Sequence, residues 1–95
     1  MKMIIVIVKD SESEALTRAL TGAQYRVTGI SSTGGFLRSG VATLLIGVED
    51  VQVDAAMELI RATLTAAGHR AEHVDASGEK RATLFVVPVS RFEQV

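Results

Sequence analysis

Three short segments of the chain, residues 3–8, 44–48 and 84–87, are apolar at successive positions rather than at alternate ones. Successive strand residues point to opposite faces of a sheet, so each segment presents an apolar surface on both sides and demands cover on both. All three are too short to cross a bilayer. Residues 3–8 lack a small-residue cleavage site, so they read as a strand and not as a targeting segment.

The intervening sequence supplies helices. Ser11 followed by Glu14 has the capping-box spacing, so Asp10 or Ser11 is expected to cap a helix; Ala15, Leu16, Ala19 and Leu20 share one face of it, and Gly22 can stop it. Asp50 is expected to cap a second helix, with Val53, Met57, Ile60, Leu64 and Ala67 as its buried stripe and Gly68 at its end. Residues 25–32 and 41–48 read as strands, 69–75 as a weak edge strand, 76–80 as a short polar turn and 81–89 as a final strand.

The resulting order, βαββαβ, is the ferredoxin-like split βαβ pattern: an α+β fold with an antiparallel sheet and both helices on one face. No linker, repeat or low-complexity run interrupts it, so residues 1–95 are expected to form a single domain. Two helices cover one sheet face. The other, also apolar, is most economically covered by identical subunits, which predicts a closed homo-oligomer.

Composition narrows the function. Apolar residues make up 47% of the chain and aromatic ones 4%, so the core must be aliphatic. A formal charge of −1 excludes a general electrostatic nucleic-acid binder, which needs a basic face. With no cysteine there are no disulfides or thiolate zinc sites. A cytoplasmic protein without membrane insertion is expected.

The stretch from Ser32 through Thr33, Gly34, Gly35, Phe36, Leu37, Arg38 and Ser39 to Gly40 joins two strands and is longer than a turn requires. Gly34 and Gly35 can turn successive N–H groups toward an anion. Phe36 offers a flat face to a nucleobase and Arg38 a planar cation to a phosphate or a second ring. The alternative is a tight hairpin with Phe36 and Leu37 tucked beneath it and Arg38 solvated.

The opening Met1-Lys2-Met3-Ile4-Ile5, the loop from Thr33 to Gly40, and the ending from Ala82 through Leu84, Phe85, Val87 and Pro88 to Val89, with Phe92 and Gln94, resemble the PII-like cyclic di-AMP receptor family, signalling proteins akin to nitrogen regulatory protein P-II. The resemblance implies a homotrimer without catalytic activity or cofactor that binds cyclic di-AMP between subunits and acts on a downstream protein, here unidentified. It implies ligand contacts at Arg26, Thr28, Gly35, Phe36, Leu37, Gly47 and Gln94. Period-two alternation independently puts Arg26 and Thr28 on one side of their strand. Thr28 suits an adenine edge and Arg26 a phosphate.

The chain departs from the family pattern in three places. Val41 stands where an asparagine is usual and cannot make the amide's paired bonds to a base edge. Lys80 and Arg81 replace a Gly-Gly pair, and the long loop before the last strand shrinks to residues 76–79. Lys80 and Arg81, with Arg38, are candidate additional anion contacts, and they make a linear nucleotide, ATP or ADP, the competing ligand.

A second function class is a ferredoxin-like metal-binding module or small enzyme using His69, His73 and Asp75. These share a strand face only with regular pairing, and a solvated edge strand is the simpler reading. Glu12, Glu14, Glu49 and Asp50 lie at helix starts, where they complement the helix dipole. No nucleophile with an adjacent base emerges from the spacing.

Overall fold

The computed structural model describes residues 1–31, 40–67 and 82–95. Its elements are β1 (Lys2–Lys9), α1 (Asp10–Gly22), β2 (Arg26–Ser31), β3 (Val41–Val48), a 3-10 turn (Asp50–Gln52), α2 (Val53–Ala67) and β4 (Ala82–Pro88). The sheet order is β2-β3-β1-β4 with every neighbouring pair antiparallel, the ferredoxin-like arrangement expected from the sequence. The expected edge strand at 69–75 and turn at 76–80 lie outside the described residues, as does the loop at 32–39.

The double-sided apolarity of the strands resolves into two unequal faces. Ile4, Val6 and Val8 of β1 and Leu44, Ile46 and Val48 of β3 are buried against Leu16 and Leu20 of α1 and Ala56, Ile60 and Leu64 of α2. Each buried Leu, Ile or Val contributes roughly 1.5–3 kcal/mol relative to exposure, and the six strand residues with the five from the helices form one cluster. The alternate positions Met3, Ile5, Ile7 and Leu45 lie on the other face and are only half-buried. On that side Ile30 is 43% exposed and Phe85 50%.

Both helix starts differ from expectation. α1 already begins at Asp10; the residue before it, Lys9, is extended and makes no side-chain cap, and Ser13 Oγ donates to the Asp10 carbonyl. The Asp10 N–H instead donates to the Gly40 carbonyl at 2.8 Å, so the chain entering β3 satisfies a helix donor that Ser11 was expected to help cap. Before α2 the cap is Glu49, not Asp50: its carbonyl accepts from the Gln52 N–H at 2.8 Å, and its own N–H donates to Gln52 Oε1 at 2.8 Å. Asp50 is drawn to the N-terminal ammonium at 3.0 Å and to Lys2 Nζ at 3.5 Å.

The end of α1 differs as well. Gly22 is the last helical residue, and the left-handed position falls on Gln24, with φ +75°. Gln24 N–H donates to the Thr21 carbonyl and Tyr25 N–H to that of Leu20, the paired bonds of a Schellman ending.

Candidate functional site

Strand register organises the open face into rows, because directly paired residues project to the same side. Gly47 of β3 lies between Arg26 of β2 and Met3 of β1; the next row carries Thr28, Leu45 and Ile5, and continues to Phe85 of β4. The period-two reading of Arg26 and Thr28 holds: both are exposed on this face.

After β4 the chain does not leave the sheet. Val89 N–H donates to the Met1 carbonyl at 3.0 Å, and the tail then crosses from the β4 edge to the β2 edge. There Arg26 Nη1 donates to Gln94 Oε1 at 2.6 Å, and the Arg26 guanidinium stands 5.8 Å from the centre of the Phe92 ring, within cation–π range.

Between sheet and tail lies a cleft of about 460 Å³. Met3, Leu45 and Gly47 line it from the sheet centre, Arg26 and Thr28 from β2, and Met1, Val89, Arg91 and Phe92 from the chain ends. At Gly47 the sheet presents bare backbone: a Cβ there would meet only Met1 Cε, at 3.4 Å. The charged side chains among these are the guanidinium groups of Arg26 and Arg91, and Arg91 Nη2 is paired with the Glu93 carboxylate. Apolar walls, a hydroxyl and two planar cations suit a flat heteroaromatic body carrying negative charge.

Of the residues singled out in the sequence, Arg26, Thr28 and Gly47 therefore meet in one cleft and Gln94 closes on Arg26. Gly35, Phe36, Leu37, Arg38, Lys80 and Arg81 lie outside the described residues, as do His69, His73 and Asp75. Val41 shares the face of Leu45 and Gly47 but does not line the cleft. Sequence reasoning did not assign Met1, Met3, Leu45, Val89, Arg91 or Phe92 to a site. Leu45 and Met3 were within reach of the period-two rule that found Thr28; Arg91 and Phe92, in an irregular tail, had no periodic signal.

Among the described residues no group of three His, Cys, Asp or Glu side chains is placed to hold a metal ion. No helix among them is long and apolar enough to cross a membrane.

A family model described as cyclic-di-AMP receptor matches residues 1–79, which include β1 to β3 and both helices but not the tail. The crystal structure of a functionally unknown protein from Pediococcus pentosaceus is similar to this fold with a TM-score of 0.68 and 30% sequence identity, over 99% of this chain and 96% of that one.

Proposed function

This chain belongs to the cyclic-di-AMP receptor family, and from that premise we propose that it is a non-catalytic sensor that binds cyclic di-AMP, or a related adenine nucleotide, in the cleft between sheet and tail. The observation that carries the reading is the convergence of Arg26, Thr28 and Gly47 on one concave site with apolar walls. Each supplies what an adenine nucleotide requires. Thr28 hydrogen-bonds a base edge, Arg26 pairs with a phosphate, and the missing side chain at Gly47 lets the ligand approach the backbone. Gln94 exchanges its bond to Arg26 for the ligand, and Gly35, Phe36 and Leu37 are the further ligand contacts that the family resemblance implies.

The single-domain subunits assemble as a homotrimer through the open sheet face, whose Ile5, Leu45 and Phe85 row adjoins the cleft. That puts the ligand at subunit boundaries and lets its binding set the conformation of residues 32–40, which a downstream protein reads. A specific observation favours a second ligand: Lys80 and Arg81 add cations that suit the greater charge of ATP or ADP.

A thermal-shift and calorimetry panel of cyclic di-AMP, ATP and ADP tests the function. Selective binding to the folded state raises the melting temperature, by an amount set by affinity and concentration. Arg26→Ala is expected to weaken binding and to flatten its salt dependence. If no nucleotide raises the melting temperature, the sensor reading is wrong; a shift produced only by divalent metal would support the metal-binding module instead.

A further inference from the structure

The two guanidinium groups of the cleft are both occupied by acceptors from adjacent residues of the tail: Glu93 pairs with Arg91, and the Gln94 amide oxygen accepts from Arg26. A carboxylate and an amide oxygen side by side resemble the face that a phosphate-bearing ligand would present to these guanidinium groups. We propose that Arg91 is a second anion-binding residue of this cleft, which releases Glu93 and takes a phosphate of the nucleotide while Arg26 takes another. The inference rests on the nucleotide-sensor reading above, and adds to it a residue beyond the span that the family model matches.

Charge matching argues for it. A cyclic dinucleotide carries one negative charge on each of two phosphodiesters, and Arg26 alone neutralises one. Arg91 is the other guanidinium lining the cleft among the described residues; the Met1 ammonium, on a third lining residue, is held by Asp50 at 3.0 Å, which leaves Arg91 as the better-placed cation for the second. The exchange is cheap. Arg91 and Glu93 are 81% and 51% exposed, and an ion pair so open to solvent is worth little, whereas a guanidinium–phosphate contact beneath a bound ligand is shielded from water. Glu93 left in place would repel the incoming phosphate, so the carboxylate must swing into solvent, and its exposure permits that. Glu93 thus acts as an internal competitor that lowers affinity without touching the ligand.

Calorimetry with cyclic di-AMP at low and high salt, on the full chain and on Arg91→Ala and Glu93→Gln, tests the exchange. Arg91→Ala should bind about tenfold more weakly and with a flatter salt dependence. Glu93→Gln should bind about threefold more tightly, since the competitor is gone. Both positions are exposed, so the melting temperatures without ligand should stay unchanged. If the wild type binds and Arg91→Ala matches it in affinity and salt dependence, Arg91 is a bystander and this inference fails while the sensor reading stands. Equal weakening in both variants would mean that the pair only props the tail, and would overturn it too. Absence of cyclic di-AMP binding by the wild type overturns this inference, and the sensor reading falls with it only if ATP and ADP do not bind either.

Discussion

Replacing Gly47 by alanine should separate the stability of the fold from the use of its cleft. Gly47 sits in the interior of β3, paired with Met3 on one side and Arg26 on the other, and its backbone is not in the left-handed region. The added methyl would meet only Met1 Cε, at 3.4 Å, the mobile end of an unbranched side chain. No packing reason for glycine is visible. Glycine in a strand costs roughly 0.5–1 kcal/mol relative to alanine through backbone entropy, and at about 4–8 °C per kcal/mol for a domain of this size the variant should melt about 2–8 °C higher. The same methyl projects into the cleft beside Arg26. Forcing a ligand off a surface by one methyl costs roughly 1–3 kcal/mol, so affinity for cyclic di-AMP should fall about fivefold to 150-fold. Scanning fluorimetry of the free protein and calorimetry with the nucleotide measure the two halves. A variant that melts well below wild type, or one that binds as tightly, would refute the reasoning.

Ile60→Ala empties a fully buried position between α2 and the sheet and should destabilise by about 2–5 kcal/mol in urea unfolding; a loss below 1 kcal/mol would mean that the core collapses around the gap. Ile5→Lys puts a charge at the centre of the open face and should convert an assembled protein to monomers in light scattering on a sizing column, whereas a monomeric wild type would leave that face without a role. Asp50 is held below the usual carboxylate range, first by its hydrogen bond from the N-terminal ammonium and then by the charge of Lys2. Its stabilising contribution is therefore present above the ordinary carboxylate pKa and disappears as pH falls through the depressed folded value. Asp50→Asn should be less stable than wild type at pH 6, with the gap narrowing as pH falls below the ordinary carboxylate range; a gap independent of pH would assign the loss to something other than charge.

The elements legible in the sequence are those whose signal is periodic and local. The stripe of α2 and the runs that became β1 and β3 repeat at fixed spacings, and the βαββαβ order follows from them. What the sequence concealed depends on contacts between distant residues. Nothing near Asp10 reveals that its N–H is taken by Gly40, so Ser11 and Glu14 looked like the cap. Glu49 and Asp50 are adjacent and both carry a carboxylate, but the register that pairs Lys2 with Val48 brings the chain start beside Asp50 and leaves the cap to Glu49. At the end of α1, the paired carbonyls of Leu20 and Thr21 fix the left-handed residue at Gln24, two positions beyond the glycine that seemed suited to it. The cleft divides the same way. Arg26 and Thr28 are visible from alternation along one strand, whereas Arg91 and Phe92 reach the site only because the tail turns back across the sheet.

Strand order has a consequence for how this protein is made. β1 lies between β3 and β4, so Lys2 pairs with both Val48 and Pro88. This inner strand is thus synthesised well before both of its neighbours, and one of its edges has no partner until translation has passed β4. Contacts this remote in sequence close large loops before they yield any stabilisation, which slows folding. Until then the nascent chain displays an unpaired apolar edge, the surface on which strands of neighbouring chains add. A chain cut short before residue 82 would leave β1 paired with β3 alone, and is therefore expected to associate through that open edge more readily than the full chain.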